Sequence, residues 1–312
     1  MKIVLLDSKT LGELKELEML NKYGVVSVHQ FTKPEEVTDR VQDAEIIITN
    51  KVVINKNVMD QAKKLKLICV AATGTNNIDM DYAAKKGIAV KNVKGYSTDG
   101  VAQHTFALLF YILNHISLYD PYVKNRSYSS SNIFTHHAWP IHELASMRMG
   151  IIGFGAIGQK VAIIAKAFGA EVVYYSTSGK NTKHKNFETV SLEEILKTSD
   201  VLSIHAPLTE ATQNLISYKE IKQMKPSSIL INTGRGGIVN ERDLAKALDE
   251  ELILAAALDV FEKEPLPEDN PLLQIRNRDR LIATPHIAWA GVESRKRLLE
   301  GICKNIEEFE IK

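Results

Sequence analysis

The sequence predicts an α/β fold built from two doubly wound parallel-sheet domains. Three observations carry that prediction. Short apolar runs alternate with helically spaced apolar patterns over nearly all 312 residues. The alternation occurs as two separate series, divided by one long apolar helix and a polar stretch. The two series are alike in pattern but not in sequence, which gives two domains with helices on both sheet faces rather than a repeat array.

The first series opens with a strand at Lys2–Leu6 and a helix over Leu11–Tyr23, where Leu14, Leu17 and Leu20 share a face. Strands follow at Val25–Gln30, Glu45–Thr49, Leu67–Ala71 and Ile88–Asn92. Helices lie between them at Pro34–Gln42, Lys56–Lys64 and Asp79–Lys86, the last closed by Gly87. The connecting helix runs from Val101 to about Tyr119, and Asp120–His142 has loop composition. The second series places strands at Arg148–Ile152, Glu171–Tyr175, Val201–His205, Ile229–Asn232, Ala255–Asp259 and Arg280–Ala283. Its helices are Ile157–Phe168, Leu192–Thr198, Lys219–Met224 and Glu241–Asp249, and a last helix covers Val292–Glu308. Domain boundaries are expected at 1–99 plus 290–312 and at 100–289, with the final helix returning to the first domain.

Lys+Arg total 39 and Asp+Glu 38, a net charge of +1. That balance speaks against a nucleic-acid binder, which carries a basic excess. No stretch has the length and apolarity of a membrane span, and the first residues do not read as a secretory signal. Cys69 and Cys303 sit among apolar neighbours, far apart, with no metal-type spacing. They are read as buried free thiols of a cytoplasmic protein. His136, His137 and His142 lack an accompanying carboxylate motif, so no metal site is expected.

Gly153-Phe154-Gly155-Ala156-Ile157-Gly158 fits G-x-G-x-x-G, following a strand and opening a helix. In that context the first glycine makes the tight turn, the second admits a pyrophosphate, and the third lets helix and strand approach. This is the fingerprint of a Rossmann dinucleotide domain. The next strand ends in Ser176, Thr177 and Ser178. An NAD site usually carries Asp or Glu there, about 20 residues on. Without that carboxylate nothing repels a 2′-phosphate, so either NAD or NADP is compatible; Lys180 and Lys183 lie just beyond.

Arg235, Glu264 and His286 each follow a strand of the second series. Strand carboxyl ends line the ligand crevice of a doubly wound sheet. A histidine can donate a proton to a 2-oxo group and recover it in reverse. A carboxylate on its other ring nitrogen fixes the tautomer and stabilises the imidazolium. A guanidinium suits a substrate carboxylate and polarises the adjacent carbonyl.

These residues, with His205-Ala206-Pro207-Leu208-Thr209, Asn232–Gly237, Ala257–Phe261, Glu264-Pro265 and Thr284-Pro285-His286, resemble the D-isomer-specific 2-hydroxyacid dehydrogenases. Within that family the chain looks most like the bacterial glycerate dehydrogenase (hydroxypyruvate reductase) group, on Thr73–Asn77, Gly95–Thr98 and His286–Trp289. The resemblance implies a flavodoxin-like substrate domain, a cofactor domain, and catalysis in a closing cleft between them. It implies NAD(P)-dependent reduction of a small 2-oxo acid, hydroxypyruvate or glyoxylate, with His286 as acid/base. It assigns substrate binding to Lys51, Thr73, Gly74 and Thr75 beside Arg235. Cofactor contacts are assigned to Thr105, Ala156, Ile157, His205, Ala206, Pro207, Thr212, Thr233, Gly234 and Asp259, the last at the nicotinamide ribose or carboxamide. It also implies a homodimer formed through residues 101–142. The stripe Val101, Phe106, Leu109, Phe110 and Leu113 is compatible with that interface and equally with plain core. A dehydrogenase for larger D-2-hydroxy acids and, remotely, a non-enzymatic NAD-sensing corepressor-like protein remain the alternatives.

Overall fold

The structure, a computed structural model, describes residues 1–310. The chain divides into two compact units, Met1–Ser97 with Trp289–Lys312, and Thr98–Ala288.

In the first unit, β1 (Lys2–Leu5), β2 (Val25–Val28), β3 (Ile46–Thr49), β4 (Leu67–Val70) and β5 (Ala89–Asn92) form one sheet. All pairings are parallel, in the order β2-β1-β3-β4-β5. Both β3 and β4 are buried along their whole length, which is why they read as unbroken Ile-Ile-Ile and Leu-Ile-Cys-Val runs. Three short helices, α1 (Val37–Val41), α2 (Lys56–Gln61) and α3 (Met80–Lys86), connect strands. The start of α3 is capped by the Asp79 side chain, which accepts from the Tyr82 amide, and its end by Gly87 at φ 71°.

The segment expected as a helix over Leu11–Tyr23 is instead two 3-10 helices, Ser8–Leu11 and Lys15–Tyr23. The cause is the spacing of its apolar residues. Leu14, Leu17, Leu20 and Tyr23 recur every third position and all pack on the sheet core. That repeat lines up at three residues per turn and drifts at 3.6. Gly12, at φ 69°, separates the two pieces.

The second unit begins with α4 (Thr98–Asn114) and α5 (Ile116–Lys124). The expected single helix is therefore broken, at His115 in the left-handed region with φ 49°. Its continuation, α5, occupies the start of the segment read as loop. The stripe of α4 is internal to the unit: Phe106, Leu109 and Leu113 are buried in one cluster with Met149, Ile151, Val161 and Ala165. Seven parallel strands follow, in the order β12-β11-β10-β9-β6-β7-β8. They are β6 (Arg148–Ile152), β7 (Glu171–Tyr175), β8 (Glu188–Thr189), β9 (Val201–Ile204), β10 (Ile229–Asn232), β11 (Ala255–Leu258) and β12 (Leu281–Ala283). The intervening helices are α6 (Ala156–Ala167), α7 (Leu192–Thr198), α8 (Tyr218–Ile221) and α9 (Glu241–Asp249). The sequence reading missed β8, a polar dipeptide that pairs with Val173 and Tyr174 of β7.

The last helix, α10 (Val292–Glu310), belongs to the first unit. Leu298, Leu299, Ile302, Cys303 and Ile306 are buried there with Ile3, Leu5, Leu67 and Cys69. Both cysteines are free and buried, and desolvation pushes the Cys69 thiol up to about 12. Among the described residues, no helix is long and apolar enough to cross a membrane.

Candidate active site

The second sheet reverses direction at β6. The chain moves from β6 to β7 and β8 on one side, then returns to pair β9 on the other. Such a switch point leaves a crevice beyond the strand carboxyl ends, and the glycine loop sits there. Gly153, at φ 88°, lies under the start of the β9 loop: a Cβ on it would come 2.6 Å from the Ala206 amide nitrogen. Gly158 is pressed against the Gly153 carbonyl. Gly155 differs from both, because a Cβ there would meet open space. It caps α6 with no side-chain hydrogen bond, so the first amides of α6, at Ala156, Ile157 and Gly158, are open to an external acceptor. An open second glycine before an uncapped 12-residue helix fits the pyrophosphate of a dinucleotide. The Phe154 ring stacks on Tyr174 at 3.8 Å, and the Gln159 side-chain amide donates to its carbonyl at 3.1 Å.

Beyond β7, Ser176 and Thr177 are half-buried and Ser178 is exposed. The Ser178 hydroxyl accepts from the Lys180 amide at 3.3 Å, so the three hydroxyls lie in one turn. Residues 176–187 contain Lys180, Lys183 and Lys185 and no carboxylate.

His205, Thr233 and Thr105 form one hydrogen-bonded chain whose directions can be worked out. The Thr105 hydroxyl donates to the Val101 carbonyl at 2.8 Å, so it accepts from Thr233 at 3.1 Å. The Thr233 oxygen then accepts from His205 Nδ1 at 3.3 Å, which leaves Nε2 to accept from Ser203 at 2.9 Å. A neutral ring, with one donor and one acceptor, fits this arrangement. Desolvation, acting in the same sense, lowers its pKa to about 3. These three positions, expected at the cofactor, thus tie α4 to β9 and β10. The Thr212 hydroxyl is likewise internal, donating to the Pro207 carbonyl at 2.7 Å and accepting from the Thr209 amide at 2.8 Å. It shapes the loop that carries Ala206 and Pro207.

Arg235 follows β10 and is exposed, its Nη1 donating to the Gly234 carbonyl at 2.7 Å. Asn232 shapes this turn, accepting from the Gly234 amide at 3.0 Å and donating to the Arg235 carbonyl at 2.9 Å. Gly236 packs directly on the Phe261 carbonyl, with no room for any Cβ. The Arg235 turn therefore lies against the loop that carries Glu264. That loop is anchored by the buried Glu241, which accepts from the Glu262 amide and the Asn270 side chain, both at 2.6 Å.

Glu264 faces both its own loop and the β12 turn. Its Oε1 accepts from the Phe261 amide at 3.1 Å, and Oε2 lies 2.7 Å from His286 Nδ1. A carboxylate can only accept, so Nδ1 carries the hydrogen and Nε2 is the nitrogen left for chemistry. The two side chains are only 24% and 28% exposed, so the pair is largely out of bulk water. His286 itself adopts φ 55°. Asp259 is fully buried, and the protein already holds both of its oxygens. Oδ1 accepts from Thr284 Oγ1 at 2.6 Å and the Ile287 amide at 2.8 Å, and Oδ2 from the Ala288 amide at 2.8 Å.

The remaining assigned residues follow strand ends of the first sheet. The Lys51 loop after β3 is held by the buried Asp7, which accepts amides of Asn50 at 2.9 Å and Lys51 at 2.6 Å. Thr73, Gly74 and Thr75 follow β4, with Thr73 Oγ1 donating to the Val93 carbonyl at 3.1 Å. The Asn77 side chain donates to the Val52 carbonyl at 2.9 Å, which joins this loop to that of Lys51. The sequence reading gave no site role to Asp7, Asn77, Asn232, Glu241, His104 or Thr284, although Asn77, Asn232 and Thr284 stand inside motifs that carry the resemblance.

Together the switch-point glycine loop, the histidine–carboxylate pair and an arginine turn packed on the carboxylate's loop define a dinucleotide-dependent dehydrogenase. The family model described as "D-isomer specific 2-hydroxyacid dehydrogenase, NAD binding domain" matches residues 106–288. The chain is 38% identical to a hydroxypyruvate reductase of Blautia hydrogenotrophica, over 99% of this chain and 97% of that protein. It is 37% identical to a glycerate dehydrogenase of Methylorubrum extorquens, over 99% of this chain and 96% of that one. Among solved structures, an acyclic imino acid reductase (Bsp5) in complex with NADPH and D-Arg matches with a TM-score of 0.87 at 30% identity, covering 100% of this chain and 97% of its own. The chain belongs to the D-isomer-specific 2-hydroxyacid dehydrogenase family, and its cofactor is a nicotinamide dinucleotide.

Two outcomes follow from this geometry. Gly236→Ala forces the Arg235 turn away from Phe261 and lowers stability by about 1–3 kcal/mol in denaturant unfolding. An unchanged midpoint would remove that close contact. For His205, the unfolded chain binds a proton below the ordinary value of 6.5 while the folded chain does so only near 3. Stability is therefore complete above that upper value and falls as pH drops through the window, by up to about 1.4 kcal/mol per pH unit. Unfolding of wild type and His205→Gln across that window checks the sign, because the variant loses this contribution.

Proposed function

We propose that the protein reduces a small 2-oxo acid to the D-2-hydroxy acid, with hydroxypyruvate the first substrate and glyoxylate a second. The observation that carries this reading is the 2.7 Å Glu264–His286 contact, with Glu264 in the loop after β11, the strand between those that precede Arg235 and His286. The names of the relatives, hydroxypyruvate reductase and glycerate dehydrogenase, support the substrate class.

When bound, the reduced nicotinamide supplies the hydride that attacks C2. His286 Nε2 donates the proton to the C2 oxygen and takes it back in the reverse direction. Glu264 holds Nδ1–H and stabilises the imidazolium. The Arg235 guanidinium binds the substrate carboxylate and polarises the C2 carbonyl. Lys51 and the backbone of Thr73–Thr75 are assigned to the substrate carboxylate, with Gly74 allowing close approach.

We assign both NADH and NADPH as usable cofactors. Ser176, Thr177 and Ser178 can bond a ribose hydroxyl or a phosphate, and Lys180 and Lys183 add positive charge where no carboxylate repels it. A homodimer through residues 101–142 is also part of this reading. Ile116, Val123, Ile133 and Phe134 are all more than half exposed, Phe134 at 89%, and this exposed apolar surface supports an interface here. The cytoplasm, where both free thiols stay reduced, is the assigned compartment.

The test is turnover of hydroxypyruvate with NADH and NADPH, in wild type and two variants. His286→Ala lowers kcat by roughly 100- to 10,000-fold and leaves the cofactor Kd nearly unchanged. Arg235→Ala chiefly damages oxo-acid use, raising KM and lowering kcat. Full activity in the first variant would sink the acid/base role of His286. Unchanged kinetics in the second would remove Arg235 from the site.

A further inference from the structure

Two polar side chains, Asp7 and Asn77, join the loops that leave β1, β3 and β4. β1 and β3 run parallel with Leu5 level with Ile48, so Asp7, two residues on, comes level with Asn50. Asp7 is buried. Its Oδ1 accepts from the Asn50 amide at 2.9 Å. Its Oδ2 accepts from the Asn50 amide at 3.1 Å, the Lys51 amide at 2.6 Å and the Val52 amide at 3.3 Å. Three successive amides of the loop after β3 thus turn inward onto one carboxylate, the concave arrangement that successive N–H groups make around an anion. A peptide group is planar and trans, so its N–H and C=O point in opposite directions. Turning the Lys51 N–H toward Asp7 therefore turns the Asn50 carbonyl away from it. The Asn77 side-chain amide donates to that carbonyl at 3.5 Å and to the Val52 carbonyl at 2.9 Å. The peptide group between Asn50 and Lys51 is held on both sides, by Asp7 and by Asn77.

The loop after β4 is tied at both ends. The Ile54 amide donates to the Asn77 carbonyl at 2.9 Å, and the Asp79 amide to the Ile54 carbonyl at 3.1 Å. At the other end the Asn92 side chain donates to the Thr73 carbonyl at 2.5 Å, and Thr73 Oγ1 to the Val93 carbonyl at 3.1 Å. Between these ties the amides of Thr73, Gly74 and Thr75 donate to no protein acceptor among the described residues. They are the donors assigned to the substrate carboxylate, with Lys51 the cation assigned beside them.

We propose that Asp7 and Asn77 are positioning residues for the seat of the substrate carboxylate. Asp7 sets the backbone that carries Lys51, and Asn77 transmits that setting to the Thr73–Thr75 loop. The proposal rests on the assignment of Lys51 and Thr73–Thr75 to the substrate. Both Asp7 oxygens accept from Asn50, so Asp7→Asn sets a donor against that N–H whichever way its amide turns. Asn77→Ala removes the donor that the Asn50 and Val52 carbonyls share.

The experiment measures hydroxypyruvate KM and kcat, cofactor Kd by fluorescence, unfolding midpoints, and exchange of the Lys51 amide. Asp7→Asn is expected to raise KM on the order of tenfold, the effect of one hydrogen bond to a charged group, with kcat and cofactor Kd within about threefold. Asn77→Ala raises KM in the same sense. It also accelerates exchange of the Lys51 amide, which it does not itself bond. Because both residues hold one peptide group, the double variant raises KM by no more than about twofold over the larger single effect. Independent effects would multiply to about a hundredfold, and that result would overturn the proposal. So would an unchanged KM in both single variants with lowered unfolding midpoints, the outcome of a purely structural role. If Asp7→Asn does not fold, Asn77→Ala decides: an unchanged KM or unchanged Lys51 exchange overturns the proposal. Failure of the underlying substrate assignment is separate, because it appears as an unchanged KM in Lys51→Ala while Lys51 exchange in Asn77→Ala still accelerates.

Discussion

Parallel pairing of β9, β10, β11 and β12 brings Ile204, Asn232, Leu258 and Ala283 level at one edge of the second sheet. Arg235, Glu264 and His286 lie in the loops that leave that edge. His205, Thr233, Asp259 and Thr284 are each the first residue beyond a strand, so their side chains meet although they are far apart in sequence. A slip of one residue in any pairing would turn these side chains to the other face. The register is protected by burial, since β9, β10 and β11 are covered along their full length.

Close backbone approach turns this edge into a site. Gly153 admits the Ala206 backbone, and Gly236 admits the Phe261 carbonyl. The first contact ties the cofactor loop to β9; the second ties the Arg235 turn to the Glu264 loop. Two carboxylates then act on the turn after β12 from the same connection. Asp259 holds its backbone and Glu264 holds the His286 ring. One carboxylate is fully buried and bonded by three donors, while the other keeps partial exposure beside a titratable ring. This division gives a fixed frame and a group free to exchange a proton.

Much of this was legible in the sequence because the relevant signals are local. Leu192–Thr198, Ile229–Asn232 and Glu241–Asp249 are found at the expected residues, each bounded by a cap or a turn. The G-x-G-x-x-G run and the three strand-end residues needed only their own neighbours to be read. What escaped depends on distant partners. The three-residue repeat at Leu14–Tyr23 resembles an α pattern over so short a span, and His115 carries no local sign of its left-handed conformation. The polar β8 is a strand only because β7 pairs with it. Likewise, nothing near Asp259 shows that amides 28 and 29 residues away bind it.

The most direct test is the fate of the label when hydroxypyruvate is reduced with nicotinamide cofactor carrying deuterium at both C4 positions of the reduced ring. Hydride transfer to C2 of the bound oxo acid predicts glycerate of D configuration carrying deuterium at C2, measured by mass spectrometry and chiral chromatography. Glycerate of L configuration, product without the label, or no turnover of hydroxypyruvate, glyoxylate or any small 2-oxo acid would contradict it.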